Sequence, residues 1–143
     1  MSVESLGQLV AQRPLIALHL GAALLALLLG AIVMLRRKGT VSHKAIGWAF
    51  VLVMGATAIS SAFIRDNHLP NIAGFTPIHF FTAYTAVYLP LGILRIRQGR
   101  VGAHRQIMLG LFIGACVVAG LFTLLPGRFV GDLLWKHGLG LYS

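Results

Sequence analysis

The sequence predicts an all-α membrane protein: a four-helix bundle built from two parallel helical hairpins. Three observations carry that expectation. Hydrophobic residues make up 57% of the chain and charged residues only 10%, against roughly 25% in a soluble domain. Four apolar runs approach the about 20 residues that cross a hydrocarbon core of about 30 Å, and none contains Asp or Glu. The basic residues gather at the ends of these runs.

A mean hydropathy of +0.85 leaves too little polar surface to cover a globule in water. Residues 1–143 therefore read as one integral membrane domain. The runs span Pro14 to Leu35, about Lys44 to Ile64, Pro77 to about Leu94, and about Gln106 to Leu125. In lipid every backbone polar group needs an internal partner, so each run is expected to be a helix. Residues 3–10 and 129–137 place apolar side chains at helical spacing on polar backgrounds, as short interfacial helices do. No basic residue precedes Arg13, and the first run is too long for a signal core, so no cleavable leader is expected. The single Cys116 excludes a disulfide framework and a dithiol centre.

Charge sets the orientation. The segment between the first two runs holds Arg36, Arg37, Lys38 and Lys44, and that between the last two holds Arg95, Arg97, Arg100 and Arg105. Eight of the 12 basic residues thus share one side, which the positive-inside rule assigns to the cytoplasm. Glu4, Asp66 and Asp132 all fall on the other side, with both termini. The net charge of +9 is then a matter of topology and anionic lipid contact, and no nucleic-acid partner is expected.

The two halves repeat. With His19 aligned on His79, Gly39 matches Gly99 and Val41 matches Val101, while His43-Lys44 and His104-Arg105 lie one residue out of step. The repeats run the same way, with a pseudo-twofold along the membrane normal. His19 and His79 then lie near the outer face, and His43 and His104 open their helices at the inner face. The levels are about 25 Å apart at 1.5 Å per residue. Small residues follow on the same helix faces: Ala23, Ala26 and Gly30 after His19, and Ala83, Ala86 and Pro90 after His79. Gly47, Met54 and Ser61 follow His43. Such residues leave room for a cofactor, and they also let helices pack closely.

Two imidazoles from facing helices are the axial ligands of a low-spin b-type haem. Two such pairs, one near each face, suit one or two haems b and electron transfer across the bilayer. Lys44, Arg105 and Arg128 are the candidate propionate contacts, with Arg13 and Arg65 also available outside. The bland alternative keeps its place: a membrane histidine commonly bonds a neighbouring carbonyl or hydroxyl. His68 and His137 break the repeat and are expected in solvent. A structural zinc site would want four His, Cys or carboxylate ligands, and proton-coupled carriage generally shows a membrane-embedded acid. Neither pattern is present.

The motifs Lys38-Gly39-Thr40-x-x-His43-x-x-x-Gly47-Trp48, Pro77-Ile78-His79, Gly99-Arg100-x-x-x-His104-Arg105-x-x-Met108 and Leu125-Pro126-Gly127-Arg128 extend over nearly the whole chain. In them the sequence resembles a family of small bacterial predicted membrane proteins of unknown function. That resemblance implies a four-helix protein of the bacterial inner membrane and no particular activity. The order of histidines, one per helix and alternating between faces, is similar to the dihaem core of cytochrome b561. By that analogy of arrangement, His19 pairs with His79 and His43 with His104. The functional expectation is a membrane haem protein, a transmembrane oxidoreductase that relays electrons between a quinol or small reductant and an acceptor. The alternative is a non-catalytic membrane subunit or assembly factor with structural histidines. Either role is compatible with a homo-oligomer or a larger membrane complex. Cysteine labelling at Ser2 and Thr40 should give opposite accessibility in sealed cells; equal labelling from outside overturns the topology.

Overall fold

The computed structural model describes residues 13–64, 79–124 and Gly131. Apart from Gly131, the expected interfacial segments 3–10 and 129–137 lie outside the described residues. Four helices follow one another: α1 (Pro14–Leu35), α2 (Val41–Phe63), α3 (His79–Arg97) and α4 (Val101–Thr123). Three of them, α1, α2 and α4, are long and apolar enough to cross a membrane. α3 is more polar, because His79, Thr82, Tyr84, Thr85 and Tyr88 interrupt its apolar residues.

Local chemistry sets the helix ends. Pro14 opens α1, where its missing N–H costs nothing and its fixed φ suits the first turn. Beyond Leu35 the Lys38 ammonium donates to the Met34 carbonyl, satisfying one of the orphan acceptors at the end of α1. Gly39 and Gly99 carry φ of 82° and 73°, a left-handed turn that a Cβ would strain. Each glycine ends a hairpin turn two residues before the next helix begins, at Val41 and at Val101. The turns of the two hairpins thus match at the same 60-residue offset as His19 and His79.

Two helices begin earlier than the apolar runs suggested, at Val41 instead of about Lys44 and at Val101 instead of about Gln106. Thr40 caps α2, its Oγ1 accepting from the His43 N–H at 3.2 Å while donating to the Arg37 carbonyl at 2.8 Å. The polar residues 41–44 and 101–105 belong to first helical turns, so His43 and His104 are helical. α3 extends to Arg97, beyond the expected end near Leu94, with Arg95 and Arg97 in its last turn. Cations there complement the negative helix end.

The helices pack in a ring: α1 on α2, α2 on α3, α3 on α4, and α4 back on α1. The closing contact comes from a π-helical stretch inside α4, Phe112–Val118. It directs Phe112 against Gly30 of α1, where a Cβ would lie 2.5 Å from the Phe112 ring and 3.0 Å from Phe50. Phe50 and Leu111 are fully buried. Around them lie Ala26, Met54, Leu89, Met108 and Cys116, whose Sγ lies 3.7 Å from the Met54 sulfur. On the other side of α4 the Gly110-x-x-x-Gly114 spacing faces Tyr84 and Phe81 of α3, so its shallow surface serves the intramolecular α3–α4 contact.

Gly30→Val should destabilise the bundle by about 1–3 kcal/mol through overpacking, read as a lower thermal midpoint in mild detergent. Gly21→Val, at a glycine with open space around it, should leave that midpoint nearly unchanged.

Candidate functional site

The histidines sit at two levels. His19 on α1 and His79 on α3 both reach the same end of α2: His19 Nδ1 lies 2.9 Å from Ser60 Oγ, and His79 Nε2 lies 3.2 Å from the Ile64 carbonyl. His43 stands about 26 Å down α2 from Ser60, at 1.5 Å per residue, and His104 opens α4 at that other end. All four rings are half-buried.

Hydrogen bonds assign the ring tautomers. His104 Nδ1 lies 2.9 Å from the Gly92 carbonyl of α3. A carbonyl only accepts, so Nδ1 carries the proton and the neutral ring holds its lone pair on Nε2. Ser60 donates its hydroxyl proton to the Thr57 carbonyl at 3.0 Å, which makes His19 Nδ1 the donor to Ser60 Oγ. Its lone pair is again on Nε2. An Nδ1–H held by protein with Nε2 left as the electron-pair donor is the usual state of a metal-ligating histidine. His79 is reversed: Nε2 donates to Ile64, and the lone pair is on Nδ1. His43 Nδ1 is buried with no hydrogen-bond partner, an orphan that native structures seldom leave without a reason.

Hydroxyl groups surround the upper pair. Ser61 Oγ and Thr82 Oγ1 meet at 2.7 Å and join α2 to α3, while Thr57 Oγ1 bonds back to the Val53 carbonyl. These residues were legible only in retrospect, as Thr57, Ser60 and Ser61 spaced at i, i+3 and i+4 in an apolar helix. The stripe expected below His79 is corrected. Ala83, Ala86 and Pro90 face outward, and the inward face of α3 is Thr82, Thr85, Leu89 and Gly92. A single intrahelical offset decided this, because the inward stripe descends from His79 by way of i+3.

The last turn of α4, Ala119–Thr123, packs on the π stretch. Toward the other end Met108 and Ile107 press on Gly92, and Phe112 presses on Gly30. Each level holds two histidines on different helices, His19 with His79 and His43 with His104. Lys44 and Arg105 are exposed, each one residue beyond its histidine. Arg128, His68 and His137 lie outside the described residues. Among the described residues no three His, Cys, Asp or Glu side chains converge as a metal cluster.

The Ser61–Thr82 bond is a direct link between side chains of α2 and α3. A double-mutant cycle of Ser61→Ala and Thr82→Ala should return a coupling of about 0.6 kcal/mol, typical of interhelical hydrogen bonds in membranes. It is read from thermal unfolding in detergent, and a coupling of zero would mean that the two hydroxyls do not meet.

No curated protein and no solved structure matches the chain. One family does match, over residues 16–126, from the third residue of α1 to just past α4. With most of its length inside that match, the chain belongs to the family described as predicted membrane protein (DUF2306).

Proposed function

We propose that this multi-pass membrane protein holds haem b between paired histidines and relays electrons between a quinol or small reductant and an acceptor on the other side of the bilayer. The observation that carries the reading is the state of the rings. His19 and His104 are each held through Nδ1 with the lone pair on Nε2, and His43 offers a buried, unpaired Nδ1. His19 pairs with His79 at one level, and His43 with His104 at the other. This pairing is the one found by analogy in the dihaem core of cytochrome b561.

A bis-imidazole haem supplies one-electron transfer. The chain's own residues supply the rest. Ser60 and the Gly92 carbonyl orient the rings and raise their basicity as ligands. Lys44 and Arg105, exposed and each one residue beyond its histidine, would meet propionates; Arg128 is the corresponding proposal for the opposite face. The apolar middle, with Phe50 and Leu111 fully buried, keeps water out of the space between the levels. The cation-rich loop end faces the cytoplasm of a bacterial inner membrane, and the termini face outward.

A second reading has its own support. His79 already bonds a main-chain carbonyl through Nε2, as a histidine that merely ties helices together would. In that case the protein is a structural subunit or assembly factor. The two separate cleanly in an absorption spectrum. The haem reading requires a Soret band with sharp reduced α and β bands in protein from a haem-replete host. His19→Ala and His79→Ala should remove the same spectral component, with the double replacement adding little, since the residues share one unit. His43→Ala and His104→Ala should remove the other component. Full haem content in all four single variants, or a colourless protein that takes up no haem, sinks the proposal.

A further inference from the structure

The loop end of the bundle carries Arg36, Arg37, Lys38, Lys44, Arg95, Arg97, Arg100 and Arg105, and no carboxylate stands anywhere among the described residues. Within that part of the chain nothing can neutralise these charges. Lys38 folds back on the Met34 carbonyl and Arg95 donates to Gln98 Oε1 at 3.1 Å, both neutral acceptors. The described residues hold no counter-charge for them.

What surrounds the cations says what supplies it. Large apolar side chains lie among them, fully in the open: Leu35 is 88% exposed, Val41 85% and Val101 60%. Each sits beside or within a few residues of a cation, as in Leu35-Arg36 and Arg100-Val101. An acidic soluble partner would leave such residues in water or bury them in a dry contact of its own making. The headgroup layer accepts both kinds at once, with apolar atoms toward the acyl chains and cationic tips toward phosphate. The turns are also short, spanning 36–40 and 98–100 between helices. They reach no farther than the headgroups.

We infer that the loop end is a binding surface for anionic phospholipid, with Lys44 and its neighbours gathering phosphate-bearing headgroups that carry net negative charge. The inference does not rest on the haem reading. It also has a built-in reporter: Trp48 lies four residues after Lys44, on the same face of α2, and is 50% exposed.

The test uses the full chain with Trp135→Phe, so that Trp48 is the sole tryptophan. The protein is reconstituted in phosphatidylcholine bilayers containing equal fractions of acyl-brominated phosphatidylglycerol or acyl-brominated phosphatidylcholine. Quenching of Trp48 should report about a fivefold preference for the anionic lipid at low salt, the equivalent of one nearby cation at the surface. The preference should fall as salt rises. Lys44→Gln should bring it close to unity, while Arg13→Gln, at the opposite end, should leave it in place. Equal quenching by the two lipids overturns the inference and reassigns the surface to an acidic protein partner. A preference that survives both high salt and Lys44→Gln overturns it as well.

Discussion

The ring of helices closes where Phe112 of α4 lies against Gly30 of α1, with Phe50 of α2 beside both. Helices in lipid gain nothing by hiding apolar surface from one another, since the tails are as apolar as they are. Association therefore depends on close fit and on a few polar contacts. Two hairpins held together only along α2 and α3 would leave α1 and α4 apart. The π stretch Phe112–Val118 widens one turn of α4 just where an aromatic ring must meet the glycine. That same stretch carries Cys116 to Met54, so one local irregularity organises the middle of the core.

From this closed middle the bundle diverges in character toward its two ends. On one side hydroxyls of α2 and α3 meet, Ser61 Oγ lying 2.7 Å from Thr82 Oγ1. Thr57, Ser60, Ser61 and Thr82 form a polar level that partners His19 and stands next to His79. On the other side helix starts and turns are tight, and glycines at 39 and 99 let the chain reverse within a few residues. His43 and His104 stand in the first turns of α2 and α4, directly above the closely packed Gly92 and Gly30 region. The two histidine levels thus differ in their polar surroundings, although the repeat makes them look equivalent.

Charge follows the same division. The cations occupy the tight end, where helix termini and headgroups coincide, and the described membrane interior contains histidine as its ionisable group besides Cys116 and tyrosine. A neutral imidazole is a modest expense in lipid, and the rings of His19, His79 and His104 each recover part of it through a hydrogen bond, whereas His43 Nδ1 has none. That one unsatisfied nitrogen lies next to Lys44, on the helix that also carries Trp48. The surface proposed to gather anionic lipid and the level proposed to hold a cofactor meet at this point.

What the sequence by itself determined is the set of properties that add up residue by residue. Hydropathy sums along a run, so four helices were legible, three of them long and apolar enough to cross a membrane, and charge sums along a segment, so the cationic end was legible too. The matched segments around Gly39 and Gly99 announced the two hairpins, because a left-handed turn demands glycine at the same offset in each. Tertiary structure alone decided how each helix is rotated about its own axis. α3 mixes apolar, aromatic and hydroxyl residues around its whole circumference, and no stripe on it says which face is inward. Only contact with α2 and α4 turned Thr82, Thr85, Leu89 and Gly92 to the core and Ala83, Ala86 and Pro90 to lipid. The ring tautomers of His19 and His104, the orphaned nitrogen of His43 and the meeting of Phe112 with Gly30 all follow from those rotations. They depend on partners far apart in the chain, and in a membrane no hydrophobic face exists to reveal them in advance.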